Sequence, residues 1–185
     1  NACTSPASSA VSGLEIKAKP SPPTITLTTA SSVCTPNTIN LTASGCAGMV
    51  TWSVGAATGT SLTLSAVGTY SITATCTDNG CTSDASSAIT GIEIKQTPAA
   101  PTVTLTTASV VCQPSTLNLT ASGCAGTVIW SDNSSGTSLT ISAPGTYNVS
   151  ATCLVNGCTS GASTGNNGLV IKTKPSPPTI TLTTA

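Results

Sequence analysis

The sequence contains no histidine, no arginine and no phenylalanine, and only a few charges. Its acids are Glu15, Asp78, Asp84, Glu93 and Asp132, and its bases are Lys17, Lys19, Lys95, Lys172 and Lys174. General acid–base catalysis draws on His or on paired carboxylates. Here the acids stand singly, and the many Ser and Thr hydroxyls have no His or suitably placed Lys to activate them as nucleophiles. The reading is therefore of a chain that is not an enzyme and carries no cofactor. The formal net charge is zero and no basic stripe exists, so nucleic acid is excluded as a partner, because phosphate binding needs concentrated positive charge. No apolar run approaches the roughly 20 residues that span a bilayer. No secretion signal is recognisable and residue 1 opens in the middle of a pattern, so the chain reads as a mature segment or an excerpt whose anchor and export signals lie elsewhere.

What is present is repetition. KPSPPTITLTTA occurs at 19–30 and again, identical, at 174–185. A shorter period lies within it: Cys34 recurs as Cys112, Cys46 as Cys124 and Trp52 as Trp130, an offset of 78 (112 − 34). After a one-residue deletion, Tyr70 recurs as Tyr147, Cys76 as Cys153 and Cys81 as Cys158, an offset of 77 (158 − 81). Such a period marks a tandem array. The domain reading is two complete repeats, 19–96 and 97–173. Residues 1–18 form the last strand of a preceding repeat, because Asn1-Ala2-Cys3 aligns with Asn79-Gly80-Cys81, and 174–185 form the first strand of a following one. The two end pieces fit either a window on a longer array or loose strands that complete a neighbouring subunit. The joints KPSPP, TPAAP and KPSPP are short, proline-stiffened linkers.

Each repeat alternates apolar and polar residues in short runs broken by turn residues, the pattern of half-buried strands. In the first repeat the runs are Thr24–Thr28 (A), Ile39–Leu41–Ala43 (B), Val50–Trp52–Val54 (C), Leu62–Leu64–Ala66 (E), Tyr70–Ile72–Ala74–Cys76 (a single long F) and Ile92–Ile94 (G). Leu14 and Ile16 repeat the G pattern in the leading piece. No helical period appears. The fold class is all-β: antiparallel sandwiches of six or seven strands joined end to end. Trp52 and Trp130 are placed in the core from C. Tyr70 and Tyr147, at the start of F, suit a tyrosine corner that ties its hydroxyl to nearby backbone. The alternative for these aromatics is a sugar-binding platform.

The segments VCTPNTINLTASGC, VTWSVGAATGTSLTLS and GTYSITATCTDNGCTS make the chain resemble the immunoglobulin-like and PKD-like tandem repeats of large bacterial surface proteins. The resemblance covers nearly the whole chain and implies stalks, spacers and adhesive arrays. It also implies cysteines at the positions of Cys34 and Cys81, while Cys46 and Cys76 are additions to that pattern.

Nine cysteines point to an oxidising, extracellular or cell-surface location. Disulfides are preferred to a four-cysteine zinc site, because the thiols fall at opposite ends of a sandwich and no His is available. In an immunoglobulin-like topology Cys46 closes B and Cys76 closes F at the same end, so Cys46–Cys76 and Cys124–Cys153 are the expected bonds within repeats. Cys34 and Cys81 lie a strand length apart, whereas bridged Cα atoms lie within about 7 Å. Two pairings stay open: Cys34–Cys81 through an unusual A–B loop, or Cys34–Cys158, with Cys3 and Cys112 bonded to partners beyond this stretch.

Lesser candidates have plain readings beside them. Asp78-Asn79-Gly80 resembles part of a calcium loop, but Asn-Gly also makes a tight turn, and Val155 replaces Asp78 in the second repeat. Asn40, Asn118, Asn133 and Asn148 open glycosylation sequons that arise easily by chance in so Thr-rich a chain. The C–E segment differs most between repeats (SVGAATGTS against SDNSSGTS) and is the place to look for a ligand surface. The leading function is a structural subunit of an extracellular filament, stalk or sheath, its partners being neighbouring repeats or copies of itself. The alternative is an adhesin module that recognises a surface glycan or a protein of a host or neighbouring cell.

Overall fold

A computed structural model describes residues 3–182, so what the sequence implies for Asn1, Ala2 and residues 183–185 lies outside it. The chain divides into two compact units, Asn1–Val33 with Asn37–Ile94, and Cys34–Pro36 with Lys95–Ala185. The strands of the first repeat are β1 (Thr24–Leu27), β2 (Ser32–Cys34), β3 (Ile39–Ser44), β4 (Met49–Trp52), β5 (Ser61–Leu64), β6 (Gly68–Ile72), β7 (Ala74–Asp78), β8 (Cys81–Thr82) and β9 (Ile89–Lys95). Those of the second are β10 (Thr102–Leu105), β11 (Val110–Cys112), β12 (Leu117–Ser122), β13 (Thr127–Trp130), β14 (Ser138–Ile141), β15 (Gly145–Val149), β16 (Ala151–Val155), β17 (Cys158–Thr159) and β18 (Asn166–Lys172).

Each repeat builds three ladders, and their order is the same twice. The first has β1-β3-β5, β4-β7-β8 and β2-β9-β6; the second has β10-β12-β14, β13-β16-β17 and β11-β18-β15. The A-B-E ladder faces the strands equivalent to C, F and G, which is an immunoglobulin-like β-sandwich. Alternation puts Ile39, Leu41 and Ala43 of β3 inside, with Val50 and Trp52 from β4, and Ile92 and Ile94 from β9. Leu117, Leu119, Ala121, Val128, Trp130, Leu169 and Ile171 take the corresponding places in the second core. Trp52 and Trp130 are 1% and 2% exposed, and these two indoles are the largest buried side chains. Each indole N–H donates to a backbone carbonyl, Trp52 Nε1 to Gly59 O at 2.8 Å and Trp130 Nε1 to Gly136 O at 2.8 Å. A buried N–H without such a partner would cost about 1–3 kcal/mol.

Two details differ from the pattern read in the sequence. F is not one strand. β6 pairs with β9 through Tyr70↔Ile92, while β7 pairs with β4 through Cys76↔Val50. The switch falls at Thr73, whose N–H donates to Ser53 Oγ (3.0 Å) and whose carbonyl accepts from Ser53 N (2.9 Å). The facing of Ile72, Ala74 and Cys76 survives the switch, and all three are buried. The A–B turn holds a short strand beside G, and in the second repeat β11 runs parallel to β18. The sandwich is therefore not wholly antiparallel.

The end pieces stand apart from the two complete repeats. No strand forms in residues 3–18, where Leu14 and Ile16 are exposed, nor in 174–182, where Ile180 and Leu182 are exposed. The same residue types in β9 are covered by a core that these segments do not meet. A strand needs both a ladder partner and a face to bury.

This packing predicts unequal responses to truncation. Trp130→Ala should cost about 3–5 kcal/mol of its unit's stability. Ile16→Ala, at an exposed position, should stay within about 0.5 kcal/mol. Denaturant titration followed by far-UV circular dichroism measures both.

Candidate functional site

Among the described residues, the chemistry that recurs is that of sulfur and of hydrogen-bonded turns. In the first unit a disulfide joins Cys46 to Cys76 with Cα atoms 5.6 Å apart, and in the second one joins Cys124 to Cys153 at 5.5 Å. Cys76 and Cys153 point into the cores at 1% exposure, while Cys46 and Cys124 close them from the turn after B. Gly48 and Gly126 follow two residues later. A Cβ on either would run into the backbone carbonyl of Thr77 or Leu154, so only glycine lets this turn lie against F.

A third disulfide joins Cys34 to Cys158, Cα atoms 5.7 Å apart. Both residues belong to the second compact unit, although Cys34 comes from the first repeat of the sequence. Cys34–Cys81 is not formed. Cys3, Cys81 and Cys112 carry free thiols, Cys3 and Cys112 exposed and Cys81 half-buried. The chain-entropy relation for a separation of 30 residues corresponds to about 3.6 kcal/mol.

The tyrosines stand at the edges of the cores. The Tyr70 hydroxyl donates to Ala66 O at 2.6 Å and that of Tyr147 to Ala143 O at 2.8 Å, each four residues back. This is a tyrosine corner that closes the E–F turn. The phenolic oxygens are occupied by their own backbone and the rings pack on the cores.

Sequence reading missed a pair of serines in each repeat. Ser83 and Ser86 are buried and follow F on its open edge. Ser83 Oγ accepts from Cys76 N (2.9 Å), while Ser83 N donates to Cys76 O (2.8 Å). Ser86 does the same with Ala74, its Oγ accepting at 3.0 Å and its N–H donating at 2.9 Å. Ser160 and Ser163 repeat the arrangement on Cys153 and Ala151. Each serine thus saturates one residue of β7 or β16 without a further strand, covering polar edge groups that would otherwise be buried unpaired. The signal was available as Cys-Thr-Ser-x-Ala-Ser at 3–8, 81–86 and 158–163.

The turn candidates resolve into backbone geometry. Asn79 (φ 48°) and Gly80 (φ 82°) take left-handed conformations, as do Asn156 (φ 50°) and Gly157 (φ 82°), which is what a two-residue hairpin turn demands. Among the described residues no three His, Cys, Asp or Glu side chains gather as a metal-ligand group. Of the sequon asparagines, Asn40 Oδ1 accepts from Thr63 Oγ1 (2.8 Å) and Asn118 Oδ1 from Thr140 Oγ1 (2.9 Å), cross-strand bonds on the outer face. Asn133 sits at φ 68°, and Asn148 Oδ1 accepts from Gly168 N at 3.0 Å.

The C–E segment differs structurally as it does in sequence. Val54 packs on the first core, whereas Asp132 stands at the corresponding place in the second. There a groove of about 480 Å³ lies between Asp132, Leu139, Ile141, Tyr147 and Val149. Ser134 donates to Asp132 Oδ1 through its hydroxyl (2.6 Å) and its N–H (2.9 Å). These two bonds, the hydroxyl's first, hold the Asp132 carboxyl below the usual carboxylate range.

No family model matches the chain, and no curated protein matches it. Solved structures similar to it include the fibronectin(III)-like modules of Clostridium thermocellum CbhA, with 18% identity over 81% of this chain and 95% of that one and a TM-score of 0.43. Murine CEACAM1b is similar at 14% identity over 82% of this chain and all of that one, TM-score 0.44. A chain of the crystal structure of mouse coronavirus receptor-binding domain complexed with its murine receptor gives 13% identity over 80% of this chain and all of that one, TM-score 0.47. At this level the likenesses concern fold and assign no activity. Three disulfides fit an extracellular protein. Among the described residues no helix is long and apolar enough to cross a membrane.

Two outcomes follow. Replacing Cys124 and Cys153 together by Ala should lower the stability of the second unit by about 2–5 kcal/mol in chemical denaturation. Asp132 should titrate below an ordinary aspartate by NMR, and Ser134→Ala should move it upward. Because the folded-state pKa is depressed, the stabilisation exists above the unfolded-state pKa and is lost as pH falls through the folded one.

Proposed function

We propose that this chain is a structural segment of an extracellular filament, stalk or sheath made of repeated immunoglobulin-like domains closed by disulfides, and that it is not a catalyst. One observation carries the reading. The two repeats place the same core positions, indole bond, tyrosine tie, serine pair and disulfide from the turn after B to F at corresponding residues, so what is repeated is a closed folding unit and not a reactive site. In this reading 19–96 and 97–173 are complete domains joined through proline-rich linkers. Residues 1–18 and 174–185 belong to further repeats. The exposure of Leu14, Ile16, Ile180 and Leu182, whose counterparts in the complete repeats pack on the cores, supports that assignment. The partners are neighbouring repeats or further copies, and the setting is a cell surface, in keeping with the resemblance to bacterial surface repeats.

A second reading, an adhesin module for a surface glycan or protein, draws on the groove beside Asp132. It lies beside the C–E segment, which differs between the repeats in sequence.

Electron microscopy of native material decides between them. A filament predicts beaded fibres with one bead per repeat, shortened or softened by reductant. Compact particles that bind cells with unchanged avidity after reduction contradict it.

A further inference from the structure

The three thiols left over are not equivalent to one another, and the bonded pair Cys34–Cys158 shows what each lacks. Cys112 occupies in the second repeat the place of Cys34 in the first. Cys34 ends β2, and Thr35 N donates to Lys95 O at 2.9 Å; Cys112 ends β11, and Gln113 N donates to Lys172 O at 3.0 Å. Cys81 occupies in the first repeat the place of Cys158. Asp78 pairs with Cys81 as Val155 pairs with Cys158, across Asn-Gly turns of the same left-handed geometry.

A second observation at Cys81 is independent of the cysteines. Beside the completed bond, Lys95 Nζ donates to Asn156 O at 3.2 Å. Beside Cys81, Lys17 Nζ donates to Asn79 O at 3.3 Å. Lys17 and Lys95 are repeat equivalents, as are Asn79 and Asn156. The lysine contact that accompanies the disulfide is thus already made at the turn where the disulfide is missing. Cys81 is half-buried there and carries a free thiol.

We propose that Cys81 and Cys112 are complementary halves of one recurring disulfide. Cys81 takes the thiol of a Cys34-type loop, and Cys112 bonds to a Cys158-type turn, each on another repeat. This rests on the array reading above and adds its covalent connectivity: a thiol in each A–B loop reaches the F–G turn of the repeat that follows. Each bond forms by exchange with a low-molecular-weight disulfide. One cysteine thiolate attacks it and releases one thiol, and the second cysteine thiolate then attacks the mixed disulfide and releases the other. The two protein thiols lose two protons and two electrons in total, and the small disulfide is reduced to two thiols.

The test is peptide mapping of the native polypeptide, digested without reductant after its free thiols are capped with N-ethylmaleimide. The proposal predicts the Thr77–Ser83 region, TDNGCTS, bonded to a peptide of the type Val-Cys-x-Pro other than that of Cys34, which stays on Cys158. It also predicts the Val111-Cys112-Gln113-Pro114 peptide bonded to one of the type Asn-Gly-Cys-Thr. If the native protein runs as a single chain on a non-reducing gel, the partner thiol comes from an adjoining repeat of the same polypeptide. A ladder that collapses with reductant assigns it to a second copy. Recovery of Cys81 and Cys112 as maleimide adducts, or of Cys81 bonded to Cys34 or Cys3, overturns the proposal. Beaded fibres with capped Cys81 and Cys112 would sink this connectivity alone, whereas the predicted bonds in globular particles would sink the filament reading alone.

Discussion

A single buried indole organises each unit. With no phenylalanine and few aromatics of any kind, one tryptophan has to fill the space between the two layers. It sits at the end of β4 or β13, in contact with a core of Ile, Leu, Val and Ala. Its N–H reaches the carbonyl of Gly59 or Gly136, so the packing of C and the path of the C–E segment are set together. Everything peripheral depends on that seat being occupied: the tyrosine tie, the serine edge and the disulfide all close margins around it.

Those margins matter because a unit of this size buries too little apolar surface to be secure by packing alone. Cross-links reduce the entropy of the unfolded chain instead. The chain supplies them at fixed places, next to glycines whose missing side chains allow the close approach, such as Gly48 and Gly126. The same economy appears at the open edge of β7, where two serines stand in for a whole strand. Low charge follows from the same design, since Thr and Ser on the outer faces pair with each other and with Asn40 and Asn118 rather than with ions.

The core was legible because alternation is a strong signal. Leu41 and Leu119, Trp52 and Trp130, and Ile72 and Val149 are inward positions in both the pattern and the structure. The tie of the tyrosine hydroxyl could be placed because it is local. What the pattern could not show was the hydrogen-bond partner of a strand: inward facing persists from Ile72 to Ala74 while the ladder changes at Thr73. Strands of two or three residues, such as β2 and β8, are too short to display any period. The groove beside Asp132 was half legible, since the C–E segments visibly differ, but its walls come from β14 and β15 as well. Leu14 and Ile16 repeat the inward pattern of β9 yet form no strand in this structure, because alternation describes a capacity to pair and not a partner.

The central claim is that each repeat is a mechanically closed body in which the indole core bears load and the disulfide limits extension. Single-molecule pulling of the chain tests it most directly. With the bonds intact, the Cys34–Cys158 disulfide carries the force past residues 35–157; after reduction the account predicts two discrete unfolding events and about 420 Å more released chain, from the 124-residue separation at roughly 3.4 Å per residue. Smooth extension without discrete events, or equal lengths released with and without reductant, would contradict it.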